Sequence, residues 1–199
     1  MMRNYAEELA YWYFRLNGFF ILENYVLEKK NDEFGNTYET DIIAVRFPYV
    51  YEDVGGYKDD WHDKLKELIP NFDKNILGVI CEVKSGEGNY HTRKLFRKEK
   101  LEKCLSRLGF FEYKSEEFSV ALNELEKGSV YSNEMYTIVK ILISLQNNNC
   151  KQDVKNISLF EVDNFICSKI KKYEEKYSDR GFFMSNLIQY LTWVKHNKP

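Results

Sequence analysis

Glu82 and Lys84 stand two residues apart at the end of the apolar run 77–84 (LGVICEVK), and they are the natural place to look for chemistry. Leu77, Val79, Ile80 and Val83 read as a buried strand. Residues i and i+2 of a strand share a face, so the acid and the base stand side by side at its exit. Burying both is costly unless they pair or bind something such as a cation. A second apolar run, 40–47 (TDIIAVRF), carries Asp41 near its start. Two carboxylates from neighbouring strands suit a hard divalent cation bound through oxygen. A lysine beside them can stabilise an oxyanion or lower the pKa of a nucleophilic water.

The elements around these residues extend the pattern. Residues 4–17 read as a helix, with Asn4 as N-cap, Glu7 and Glu8 in the first turns, and Gly18 as its stop. Ala6, Leu9, Ala10, Tyr13 and Leu16 give it an apolar stripe that Glu7 and Glu8 flank on opposite sides. Periodicity does not choose which of them turns inward, and both read equally as solvated N-terminal glutamates. Glu39 shares a face with Asp41 by the strand period, either as a further ligand or as an exposed residue at the wet end.

Glu39-Thr40-Asp41, then Glu82-Val83-Lys84, with Ala6-Glu7-Glu8-Leu9-Ala10 on a preceding helix closed by Gly18-Phe19, resembles the PD-(D/E)xK nuclease superfamily. The likeness is greatest to the branch containing archaeal Holliday-junction resolvases and small bacterial resolvase-like proteins, and it covers roughly residues 4 to 110. The stretch between Asp41 and Glu82 is longer than the hairpin that relatives have, so 48–75 is expected to be an insertion.

The resemblance implies an α/β fold with a restriction-endonuclease-like core: a small mixed sheet flanked by helices, its acids clustered where the second and third strands separate. It implies one domain over 1–199, with a core about 4–145 and a helical C-terminal part about 150–199. Asp41 and Glu82 would hold Mg2+ or Mn2+, with the carbonyl of Val83 as a third oxygen. Lys84 would orient or help deprotonate the attacking water and offset the developing charge. By the spacing to the helix-closing glycine in the families the chain resembles, the likeness implies Glu7 rather than Glu8 as the helix-borne acid. The implied activity is metal-dependent cleavage of DNA, in repair, recombination or defence, with RNA left open. Junction cleavage would want a two-fold homodimer. A rival reading keeps the fold without the chemistry, as a nucleic-acid-binding or assembly subunit. A third is an α/β domain whose Glu82 and Lys84 simply pair.

Composition bounds these readings. The chain has 199 residues, 44% hydrophobic and 30% charged, which suits one soluble globular domain. Its net charge of −2 gives no global field for nucleic acid, so phosphate contacts would need a local basic patch. Cys81, Cys104, Cys150 and Cys167 form no C-x-x-C pair and read as reduced thiols. With His62, His91 and His196 they offer no zinc spacing. No leader or long apolar run is evident, so the expected compartment is the cytoplasm, without a membrane.

The remaining chain supplies walls for the site. A strand is expected over 19–29, a turn over 30–36 and a short helix over 61–69 with Asp59 or Asp60 as its cap. The cluster Asp59-Asp60-Trp61-His62-Asp63 also invites a second metal site, and the cap is the better reading. Ser85 opens a loop, either bonding a phosphate or Lys84, or as turn chemistry. The stretch 91–108 reads as one helix whose outer face carries Arg93, Lys94, Arg97, Lys98, Lys100 and Lys103. Such a face is usually solvation, but directly after the Glu-x-Lys strand it is a candidate phosphate contact. Further on, a helix is expected over 116–127, a strand over 135–145, a short strand or helix lead-in over 157–162, and helices over 162–176 and 182–197.

Overall fold

The computed structural model describes residues 4–27, 38–52, 54, 56–86, 91–145, 153–178 and 185–197. Helix α1 (Tyr5–Leu16) is capped by Asn4, whose side chain accepts from the N–H groups of Ala6 and Glu7 at 3.0 Å each. Two of the donors that every helix start leaves orphaned are thereby satisfied. Gly18 follows at φ +82, where a Cβ would lie 2.6 Å from Val50. Glycine alone fits both the backbone and the space.

Strands β1 (Phe20–Leu27), β2 (Tyr38–Arg46) and β3 (Ile76–Lys84) form an antiparallel series. Between β2 and β3 lie a 3-10 turn at Lys58–Asp60 and helix α2 (Asp63–Leu68). Arg46, buried at the end of β2, ties this segment to the sheet. Its guanidinium donates to the carbonyls of Asn17 (3.0 Å) and Phe72 (3.1 Å) and lies over the rings of Trp61 and Phe72.

Helices α3 (Thr92–Leu95), α4 (Lys98–Leu108) and α5 (Glu116–Lys127) lead to strands β4 (Val130–Ser132) and β5 (Tyr136–Ser144), the latter parallel to β3. Strand β6 (Lys155–Ser158) runs into α6 (Leu159–Lys172), α7 (Glu174–Ser178) and α8 (Asn186–Asn197). The sheet order is β1-β2-β3-β5-β4, with β6 also on β5. On the far side of β5, β4 pairs with the first half and β6 with the second. The result is an α/β fold: a mixed open sheet with helices on both faces.

Central β3 divides two cores. Leu77, Val79, Cys81 and Val83 pack with Ala6 and Tyr13 of α1 and Phe165 and Ile166 of α6. Ile80 faces the other way, onto Leu101 and Leu105 of α4 and Leu125 of α5. Glu82 follows Ile80 by the period of two and so points toward α4. Among the described residues no helix is long and apolar enough to cross a membrane.

Several sequence expectations are corrected. The expected single helix over 91–108 is two, because Phe96 leaves helical geometry (φ −115, ψ 56) to bury its ring in the α4 core. Lys100 is not on an outer face: it is buried. Lys103 is half-buried. Neither Asp59 nor Asp60 caps α2, whose N-cap is His62 without a side-chain bond. Strand β4 was not expected, and the helix foreseen over 162–176 is α6 followed by α7. The turn at 30–36 lies outside the described residues, as do Cys150 and 182–184.

Candidate functional site

The ladder between β2 and β3 ends at the pair Ile42 and Cys81. The chain of β2 continues to pair with β1, through Thr40 and Tyr25, so β2 and β3 separate just where Asp41 and Glu82 stand. The separation leaves a β3 N–H without a ladder partner. Asp41 takes it: its Oδ2 accepts from the N–H of Val83 at 2.7 Å. The alternation of β2 breaks at the same point. Thr40 lies 3.3 Å from Cys104 on the α4 side, while Ile42, two residues on, packs with α1.

Lys84 connects the two strands. Its Nζ donates to Asp41 Oδ2 at 3.2 Å and to Glu82 Oε2 at 3.3 Å. The other Glu82 oxygen, Oε1, is held by the ammonium of Lys100, which reaches down from the first turn of α4. Solvent access is graded across the cluster. Side-chain exposure is 4% for Glu82 and 6% for Lys100, against 16% for Asp41 and 27% for Lys84. Glu82 and Lys100 form the floor; Asp41 and Lys84 form the mouth.

The charges perturb one another in a consistent direction. Burial raises the pKa of Glu82 and Asp41 adds to it, so the pull of Lys100 and Lys84 does not bring it back to the ordinary carboxylate value. For Lys84, burial works to depress the pKa, but Glu82 and Asp41 outweigh it and hold it above the usual lysine value. Lys84 is therefore an ammonium at neutral pH, suited to balancing negative charge rather than to taking a proton. Glu7 belongs to the same electrostatic neighbourhood. Its pKa is raised by burial and by Asp41, against a hydrogen bond from Asn4 and the charge of Lys84.

The other candidates fall outside this cluster. Glu8 turns away and accepts from the hydroxyl of Ser185, which caps α8 by accepting from the N–H of Ile188 at 3.2 Å. Glu39 is exposed, and Ser85 is half-buried beyond the end of β3. Lys94, Arg97 and Lys98 are exposed, and Lys98 pairs with Glu126 at 2.9 Å. The side chain of Arg93 lies outside the described residues. In the acidic 59–63 stretch, Asp60 is buried against Lys172 and Tyr173, while Asp63 pairs with Lys66 at 2.5 Å.

Lys100 is the residue that reading the chain missed. A signal was present: it precedes Leu101 and lies four residues before Cys104, on the inward side of α4, where a solvated lysine does not belong. Cys81 and Cys104 are buried near the carboxylates but chemically quiet, since burial pushes both thiol pKa values up, that of Cys104 to about 11. A cavity of about 590 Å3 lies at the opposite end of β2, among Tyr11, Arg15, Phe20, Phe47, Tyr49 and Tyr51, and none of the cluster residues lines it.

Fold and site together define an α/β protein with an acid and lysine cluster at the edge where two antiparallel strands part. No family model, no curated protein and no solved structure matches the chain.

Proposed function

We propose that this protein is a Mg2+- or Mn2+-dependent nuclease that hydrolyses phosphodiester bonds of DNA at the Asp41, Glu82 and Lys84 cluster. One observation carries the reading. Carboxylates from two separating strands converge on a single ammonium, at 3.2 and 3.3 Å, at a solvent-reachable mouth. Asp41 and Glu82 are matched one for one by Lys84 and Lys100, and the neighbouring Glu7 tips the group to a net negative charge.

The donor set fits a hard cation: two carboxylate oxygens already share one positive group, and Asp41 and Glu82 would be the residues to hold the ion, with the Val83 carbonyl implied as a third oxygen. Bound there, the ion would supply a Lewis acid that polarises the phosphoryl oxygen and lowers the pKa of a water. Water adds to phosphorus as a bridging P–O bond breaks; the departing alkoxide takes up a proton and leaves as a hydroxyl end, while the other fragment keeps the phosphate. Lys84 places a fixed ammonium beside the oxygens on which negative charge grows. Glu7 adds to the negative potential from the α1 side. Exposed Lys94, Arg97 and Lys98 follow β3 directly and offer backbone phosphates a sequence-independent hold.

Among the described residues no three His, Cys, Asp or Glu side chains already stand in a metal-binding arrangement, and both oxygens of Glu82 have lysine partners. This favours, as the second reading, an ion-pair cluster without chemistry. Labelled single-stranded, duplex and branched DNA, and RNA, incubated with Mg2+ or Mn2+ beside the Lys84→Ala protein, separates the two. Cleavage by the parent alone supports the nuclease. Equal inactivity of both proteins on every substrate rejects it.

A further inference from the structure

We propose that Lys100 decides which divalent cation the site accepts, by occupying one oxygen of Glu82 permanently and leaving that carboxylate a single oxygen to give. The inference rests on the nuclease reading and concerns the cation seat within it. Two ammonium groups touch Glu82, but they are not equivalent. Lys84 sits on Oε2 at the mouth, 27% exposed, and shares itself with Asp41. Lys100 sits on Oε1 at the floor, 6% exposed, on a helix whose next turns, Leu101, Cys104 and Leu105, are fully packed. An incoming cation displaces the group at the mouth, because that ammonium can turn to water while the buried one cannot leave without stranding a charge.

The consequence is one of denticity. With Oε1 held, Glu82 binds through Oε2 alone. Asp41 is restricted as well, since its Oδ2 already accepts the Val83 N–H at 2.7 Å and the Lys84 ammonium. Mg2+ and Mn2+ tolerate a site with one oxygen from each carboxylate and fill their octahedra with water. Ca2+ prefers six to eight oxygens and commonly takes a carboxylate through both. Lys100 thus disfavours the larger ion. Its positive charge also weakens the seat for any divalent cation, so affinity and selectivity are separable effects of one residue.

Calorimetric titration of Mn2+ and of Ca2+ into the full chain tests this. The parent is expected to bind Mn2+ at least tenfold more tightly than Ca2+, a difference of about 1.4 kcal/mol or more. Lys100→Met frees Oε1 and removes the charge, so both ions bind more tightly and the preference collapses toward parity. Lys100→Gln keeps a hydrogen-bond donor on Oε1 but not the charge, so both ions bind more tightly while the preference stays. A Met variant that keeps the parent's Mn2+ to Ca2+ ratio overturns the proposal. So does a Gln variant with unchanged or weakened affinity, which decides the matter even if the Met variant does not fold. A parent that binds neither ion overturns the nuclease reading beneath it, an outcome distinct from the other two.

Discussion

At the exit of β3, Lys84 and Lys100 meet carboxylates, whereas where α6 crosses the 58–60 turn, Lys169 meets backbone. Its ammonium donates to the carbonyls of Leu16 (2.7 Å) and Asp60 (3.2 Å) and lies over the rings of Trp61 and Phe165. Beside it, Asp60 is answered on both oxygens, by Lys172 and by the Tyr173 hydroxyl, each at 2.5 Å. Both regions set lysines against acids, yet the pKa values of Asp60 and Glu82 move in opposite directions. Burial works to raise the pKa of Asp60, but its Lys172 and Tyr173 hydrogen bonds and the nearby lysine charges pull it below the ordinary value. Glu82 stays above its own. The α6 cluster is satisfied by the fold, so it is a clasp. In the β3 cluster Lys84 and Lys100 match Asp41 and Glu82 one for one, burial keeps Glu82 above its ordinary value, and Glu7 leaves the group one negative charge that an external cation would answer.

The contrast breaks most visibly in activity. Asp41→Ala and Lys84→Ala should each lower DNA cleavage about a hundred- to a thousandfold, while the melting temperature moves by only a few degrees. A nicking assay run beside a thermal melt reads both, and variants that keep cleavage would dissolve the distinction from the β3 side.

From the α6 side, the effect is on stability. Asp60→Ala removes the acceptor of the Tyr173 hydroxyl and of Lys172, which is half exposed and turns to water, and should cost about 2 kcal/mol, or roughly 6 °C in a chain of this size. Its Mn2+ affinity should match the parent's. A folded Asp60→Ala protein that no longer binds Mn2+ would mean that the two clusters are not independent.

Next in size is a pH effect. Burial lowers the pKa of Lys169, and of Lys140 on β5, from 10.5 to about 8. Between those values the unfolded chain holds protons that the folded one has shed, so stability rises with pH. It is lost as pH falls through about 8, where the folded lysines must take up charge. Melting curves from pH 8 to 10.5 should therefore climb for the parent and climb less for Lys169→Met, with Lys140 supplying the remainder. A parent whose melting temperature falls across that range contradicts this. Smallest are the exposed basic residues after β3. Lys94→Ala or Lys98→Ala should each reduce the salt dependence of DNA binding by about one unit of slope. Stability should stay within about 0.5 kcal/mol.

Much of the scaffold was legible because local signals agreed with packing. Helix α1 follows its cap and apolar stripe from Asn4 to Gly18. Strands β2, β3 and β5 follow their apolar runs, and α5 fits its expected 116–127 range. What escaped was decided by partners distant in sequence. Strand β4 is three residues long and exists because β5 pairs with it. The break at Phe96 serves the core between α4 and β5, which no periodicity reveals. Within the candidate site, the convergence of Asp41, Glu82 and Lys84 was readable from type and spacing, whereas periodicity did not show that Glu8 turns to Ser185 while Glu7 shares the field of Asp41. Lys100 was hidden in a basic run, its burial apparent only from its place on the stripe of Leu101 and Cys104.

The most direct test is a crystal of the protein soaked in Mn2+ and measured at a wavelength where manganese scatters anomalously. The account predicts a peak about 2.1 Å from one oxygen each of Asp41 and Glu82, with Lys84 turned out of its bridge and Lys100 still on Oε1. A density map with no peak between those carboxylates, and Lys84 unmoved between them, would contradict it.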